Sequence, residues 1–293
     1  MSLGQDFADA IHKLGRDSEL PSIMAAAALV APLHAPEPHP DVEIIRDISY
    51  GPDERHRLDV FRAAGHAGEP RPVFVFVHGG GFVGGDKATP GRPFYDNVML
   101  WAVKNGFLGI NITYRLAPDH PFPAGSDDVS AAIDWARAHA AEHGGDPGRV
   151  FVSGTSAGAV HVAGYLANKA YGAEEKVKGA ILLSCLFDLT KAEKNPMRDA
   201  YFGEDESALA GMSTLKGMVE TKVPVLLTLA EYDPIDFERQ TLAYINAYFD
   251  ARGEWPNVIR VMGHNHFTTA WHLNTADDWM GEQMVRFMKE AGA

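Results

Sequence analysis

The sequence predicts an α/β chain built on a mostly parallel, doubly wound sheet with helices on both faces. Three observations point there. Val73-Phe-Val-Phe-Val77 is a continuous β-branched and aromatic run, which marks a strand buried on both faces. Beyond it, strand-like and helix-like segments alternate, implying right-handed crossovers between parallel strands. Finally, Val150-Phe-Val-Ser153 passes through Gly154-Thr-Ser-Ala-Gly158 into a helical stretch, setting a serine on a tight strand-to-helix turn.

Taken in order, residues 7–14 and 21–33 read as helical pieces, closed by the linker Ala35-Pro-Glu-Pro-His-Pro40. Residues 41–48 and 57–62 alternate in polarity around the turn Tyr50-Gly-Pro-Asp-Glu54, as an antiparallel pair does. Strands follow at 73–77, 107–113, 150–153, 179–184, 224–230 and 258–262. Helices are expected at 93–104, 128–142, 157–169, 236–251 and 275–289. The stretch 187–222 is long for one crossover, and its Met and aromatic residues suit an extra lid-like helix.

A chain of 293 residues with 46% hydrophobic content suits one α/β domain with an elaboration. A formal net charge of −13 argues against nucleic acid or an anionic membrane as partner, because phosphate binding needs a basic surface. Cys185 is the only cysteine, so no intrachain disulfide can form. The 13 histidines show neither H-E-x-x-H nor paired Cys/His spacing, so no metal and no other cofactor is expected. The apolar run 23–33 is too short to span a bilayer. Asp6, Asp9, Asp17 and Glu19 precede it where an export signal would carry positive charge, so a cytoplasmic location is expected.

The chemistry gathers around Ser156. Side chains at 154 or 158 would crowd the neighbouring backbone, while the strained turn lifts the serine hydroxyl clear of the sheet. Acyl transfer by a serine also needs oxyanion donors, a base and a group to orient the base. His78-Gly-Gly-Gly-Phe82 follows a strand and can turn backbone N–H groups toward one point, so Gly80, Gly81 and Ala157 are the candidate donors. His78 reads as a brace for that loop. A phosphate-binding loop is disfavoured because no Lys-Ser/Thr follows. The acid is expected at Asp233, with Glu231 and Asp236 as alternatives, Asp236 also reading as a helix cap. His266 is the expected base ahead of His264, and His272 reads as a surface or packing residue.

Beyond these single residues, several motifs resemble a known family. They are His78–Phe82, Tyr114-Arg-Leu-Ala-Pro-Asp-His-Pro-Phe-Pro-Ala124, Gly145-Asp-Pro-Gly-Arg149, Gly154–Gly158, Asp233-Pro-Ile and His266-Phe. In this order they resemble the bacterial hormone-sensitive-lipase-like carboxylesterases of the α/β-hydrolase fold, over about residues 45–290. Thr155 before the serine resembles the G-T-S-A-G subgroup. The resemblance implies hydrolysis of short-chain carboxylic esters by Ser156, Asp233 and His266. It also implies a cap made of residues 1–40 and the insertion at 187–222 on a catalytic domain of 41–293. The short N-terminal segment suggests an open pocket. Arg57-Leu-Asp-Val-Phe61 and Tyr201-Phe-Gly-Glu resemble the feruloyl-esterase and arylformamidase branches, leaving aryl esters and N-formyl amides open. A non-catalytic binding protein on the same scaffold is the remaining alternative.

Loops at the active edge carry Phe82, Tyr95, Phe122, Phe187, Tyr201, Tyr232 and Phe267, of which Phe82, Tyr201 and Phe267 are the expected substrate contacts. Tyr114 and Arg115 read as structural braces, and Asp127 and Asp128 as caps of the next helix. The expected partner is a small ester, without nucleic acid or membrane insertion, and a homodimer is left open.

Overall fold

The computed structural model describes residues 4–293. Two helices, α1 (Gln5–Leu14) and α2 (Leu20–Val30), lead into β1 (Val42–Ser49), β2 (Arg57–Ala63) and β3 (Arg71–Val77). Helix α3 (Asp96–Lys104), β4 (Leu108–Ile112), α4 (Ala124–His139), β5 (Gly145–Thr155) and α5 (Ala157–Ala167) follow. Then come α6 (Ala173–Lys176), β6 (Gly179–Leu183) and an excursion through α7 (Pro196–Phe202), α8 (Leu209–Met212) and α9 (Leu215–Glu220). The chain ends with β7 (Val225–Tyr232), α10 (Ile235–Arg252), β8 (Asn257–Asn265), α11 (Thr268–Trp271) and α12 (Trp279–Glu290).

The strands form one sheet in the order β1-β2-β4-β3-β5-β6-β7-β8. β1–β2 and β2–β4 pair antiparallel, and every pair from β4–β3 onward is parallel. Because β3 lies between β4 and β5, the winding reverses there, and a crevice opens beyond the C-terminal ends of these strands. Alternation within β3 shows why the run is apolar throughout. Val73, Val75 and Val77 pack into the core beneath α4 and α5, whereas Phe74 and Phe76 pack into the core beneath α3 and α12. Each such burial contributes about 1.5–3 kcal/mol relative to exposure.

Four sequence readings are corrected by the coordinates. The insertion holds three short helices instead of one. Helix α4 starts at Ala124, so Asp127 and Asp128 lie inside it and cap nothing. Asp128 instead accepts from Arg115 N at 2.7 Å and faces His56 Nε2 at 2.9 Å, tying the loop after β4 to the β1–β2 turn. Asp236 likewise sits within α10, where its carboxylate accepts from Glu193 N at 2.9 Å. His272 lies fully buried, so only the packing half of its expectation survives.

Candidate active site

Ser156 follows β5, Asp233 follows β7 and the His266 loop follows β8, so the parallel topology carries all three to one sheet edge. The serine takes φ 55° and ψ −121°, a left-handed conformation that costs a non-glycine residue free energy. Close packing explains the flanking glycine at 158. A Cβ there would stand 2.2 Å from the carbonyl oxygen of Val77, so any side chain would push the helix off β3.

From the serine a line of hydrogen bonds runs inward. Ser156 Oγ lies 2.9 Å from His266 Nε2, and His266 Nδ1 lies 2.6 Å from Asp233 Oδ1. A carboxylate can only accept, so Nδ1 carries the ring proton and Nε2 is left to accept from the serine hydroxyl. Asp233 is fully buried, and its other oxygen accepts from Ser184 Oγ and Ala230 N, both at 2.7 Å. Those two donors hold the carboxylate in place in a dry site. The imidazole is held between Phe237, at 4.5 Å between ring centroids, and Phe267, at 5.2 Å and nearly perpendicular.

The glycine loop after β3 sits beside this line. Gly80 takes φ 142°, and a Cβ there would meet the carbonyl oxygen of Gly84 at 2.0 Å. The Gly80 carbonyl accepts from Val83 and Gly84, while among the described residues the N–H groups of Gly80 and Gly81 donate to no protein acceptor. Ala157 opens α5, where a backbone N–H has no acceptor within the helix. His78 is buried, stacks on Tyr114 at 4.3 Å and lies 2.6 Å from the Gly79 carbonyl, while Tyr114 donates to His78 O at 3.0 Å. Burial pushes the His78 imidazole down to about 3, so it stays neutral.

Of the aromatic candidates, Phe82 and Tyr201 stack face to face at 4.7 Å, and Tyr201 accepts from Gly125 N at 3.1 Å. Tyr201 also lines a cavity of only about 10 Å³, with Val160, His161, Leu186 and Phe202 among others. Phe267 stacks on Trp271, Phe187 is buried against Tyr244, and the Tyr232 hydroxyl lies 3.0 Å from His12 Nδ1. A cleft of about 790 Å³ contains none of Ser156, Asp233 or His266. Two of its cations are paired, Arg46 with Asp59 and Asp96, and Lys87 with Asp47 and Asp59.

Residues 74–266 match a family described as having the alpha/beta hydrolase fold. The chain belongs to that family. Among curated relatives, this α/β hydrolase is 39% identical over 113 residues to the esterase LipC of Mycobacterium tuberculosis, covering 39% of this chain and 27% of that protein. It is 47% identical over 88 residues to that organism's carboxylesterase NlhH, covering 30% and 26% of the two chains. With esterase LipQ of the same organism it shares 30% identity over 275 residues, covering 85% of this chain and 63% of LipQ. The matched stretch thus spans less than two thirds of each of these relatives. In three dimensions it resembles a bacterial heroin esterase, with TM-score 0.74, 22% identity and coverage of 99% and 98%. It also resembles a hyperthermophilic esterase from Pyrobaculum calidifontis, with TM-score 0.72, 23% identity and coverage of 99% of both chains. At such identities the likeness speaks for the fold.

Motif reading passed over several residues of this site. Ser184 and Arg16 both hold Asp233, the arginine by donating to its carbonyl at 2.5 Å. Met197 lies against Gly81, where a Cβ would stand 2.3 Å from its sulfur. Ser184 had one legible signal, a polar residue directly after an all-apolar strand. Arg16 and Met197 are brought in by tertiary packing alone.

Proposed function

We propose that this chain is a serine carboxylesterase acting on short-chain or aryl carboxylic esters through an acyl-enzyme. The observation that carries the proposal is the unbroken hydrogen-bonded line from Asp233 through His266 to Ser156. Along it, His266 takes the hydroxyl proton as Ser156 Oγ attacks the ester carbonyl, and Asp233 stabilises the imidazolium that forms. The N–H groups of Gly80, Gly81 and Ala157 receive the developing oxyanion. His266 then returns the proton to the leaving alcohol. In the second half-reaction it deprotonates a water that releases the acid. The names of the esterase relatives agree with this reading.

Short acyl groups are favoured by Met197, which stands against Gly81 beside the nucleophile and leaves little room for a long chain. Aromatic walls supplied by Phe82 and Phe267 suit an aryl leaving group. Hydrolysis of p-nitrophenyl acetate and p-nitrophenyl butyrate by the wild type and by Ser156→Ala tests the proposal. Turnover by the wild type and its collapse in the variant are expected. Undiminished turnover in the variant, or tight ester binding without turnover in the wild type, would end it.

A further inference from the structure

Two residues before His266, a second histidine faces another way. His264 is buried at the end of β8, with its ring 4.0 Å from that of His272 at the end of α11 and tilted by 34°. Asp277, in the segment before α12, brings a half-buried carboxylate to the same point. One ligating atom from each of the three lies within 4.8 Å of the other two.

Hydrogen bonding fixes which atoms these are. His272 Nδ1 lies 2.7 Å from the carbonyl oxygen of Thr268, which can only accept, so Nδ1 carries the proton and Nε2 bears the lone pair. That Nε2 is buried and has no hydrogen-bond partner among the described residues. A histidine whose one nitrogen donates to a backbone carbonyl while the other stands free is arranged as metal-binding histidines are. His264 Nδ1 lies 3.2 Å from Thr268 Oγ1, so the same residue orients both rings.

The remaining pair is spaced for an ion. His264 Nε2 stands 3.4 Å from Asp277 Oδ2, whereas the proton-sharing pair His266–Asp233 closes to 2.6 Å. Two ligands of a tetrahedral zinc ion with bonds of about 2.0–2.1 Å lie about 3.3 Å apart, the edge of that tetrahedron.

The geometry points to a binding site for one divalent transition-metal ion, Zn²⁺ or a similar cation, held by His264 Nε2, His272 Nε2 and the Asp277 carboxylate. Three protein ligands leave a fourth position for water on the Asp277 side, which is the solvent-facing one. None of the three side chains belongs to the Ser156–His266–Asp233 line, so the site stands whatever reaction that line performs. The bound ion would tie the end of β8 to both flanks of α11, and so fix the loop that carries His266.

Sequence spacing hides this site, because the ligands come from a strand end, a helix end and a loop. It is tested by stripping the protein with chelator, re-equilibrating it with Zn²⁺ and counting the metal retained after gel filtration. One equivalent is expected, with a rise in Tm on adding Zn²⁺. Asp277→Asn and His272→Gln should each weaken binding at least tenfold and abolish the rise in Tm. His266→Ala should retain the full equivalent. Co²⁺ in place of Zn²⁺ should give the visible absorption of a tetrahedral site, lost in Asp277→Asn. Asp277 is half-exposed, so its variant is expected to fold, which far-UV circular dichroism checks. Absence of stoichiometric binding, binding that survives in Asp277→Asn, or binding lost only in His266→Ala would overturn the assignment.

Discussion

His161 offers a way to measure what burial does to a histidine in this fold. It lies on α5 behind Ser156 and is about 1% exposed, with its ring among Phe82, Tyr114 and Tyr201. Neither ring nitrogen has a hydrogen-bond partner among the described residues. Burial pushes its pKa down from 6.5 to about 3. The sign of the consequence follows from proton counting. Between pH 6.5 and about 3 the unfolded chain binds a proton at this residue and the folded chain does not. Stability therefore falls as pH falls through that window. The slope is one proton, about 1.4 kcal/mol per pH unit, so by pH 5 this single residue costs about 2 kcal/mol relative to neutral pH.

The perturbation is His161→Leu, which removes the titrating ring and breaks no hydrogen bond. Urea unfolding of wild type and variant, at intervals from pH 7.5 to pH 5, gives the two stability profiles. Repacking shifts the level of the variant's curve by an amount that depends on how the leucine seats against Gly125, where a Cβ would stand 2.3 Å from the imidazole. Its slope is the informative quantity. Below pH 6 the variant's curve should be shallower than the wild type's by about 1.4 kcal/mol per pH unit. His78 remains in both proteins with its own depressed pKa of about 3, so the variant keeps part of the acid sensitivity. Parallel curves would refute the reasoning, because they would mean that the folded protein protonates His161 as readily as the unfolded chain does.

Three further outcomes are expected. Gly80→Ala places a methyl group against the carbonyl oxygen of Gly84 and displaces a proposed oxyanion donor, so kcat on p-nitrophenyl acetate should fall by about 10²-fold or more. A change of less than threefold would remove Gly80 from that role. Ser184→Ala takes one of two donors from a buried carboxylate oxygen, which should lower stability at pH 7 by about 1.5–3 kcal/mol in urea unfolding. Unchanged stability would show that the Ala230 N–H alone satisfies Asp233. Met197→Ala removes a half-exposed side chain from above Gly81, so kcat/KM for a hexanoyl ester should rise several-fold relative to the acetyl ester. Each methylene given room contributes about 0.8 kcal/mol, and an unchanged ratio would place the acyl chain elsewhere.

The sheet was legible because its strands advertise themselves locally. Runs such as Val73–Val77 and Gly179–Leu183 are apolar at every position, as strands covered on both faces must be. Ser156, Asp233 and His266 were legible for a topological reason, since each directly follows a parallel strand and parallel strands end at one edge. What could not be read locally was the use of polar side chains over long sequence distances. Asp128 has a helix-start look, yet its carboxylate serves Arg115 and a histidine 72 residues away. Asp236 and Glu193, joined by one hydrogen bond, are separated by 43 residues. His272 was left open between surface and packing because nothing near it in sequence tells that it is buried against His264.

The same distinction explains how the Asp233 and His266 loops are held. Local bonds hold part of each loop, such as Ala230 N to Asp233 and Thr268 N to Asn265 Oδ1, and donors from distant parts of the chain add to them. Arg16, between α1 and α2, donates to Asp233 O at 2.5 Å and pairs with Glu238 at 2.8 Å. His34 Nε2 reaches the carbonyl of Trp271 at 2.8 Å, and the Phe7 ring lies 5.9 Å from that of His264. From the other side, Asn97 on α3 donates to the carbonyls of Ala270, Trp271 and Leu273 at 2.9–3.1 Å. Those carbonyls belong to the short α11 and the turn after it, which have too few helical bonds of their own to satisfy them. Arg16 and His34 therefore tie the N-terminal segment to the Asp233 and His266 loops by hydrogen bonding. A chain lacking them would keep Ser156, Asp233 and His266 in sequence, but Asp233 and the turn after His266 would each lose a hydrogen bond that now holds them in place.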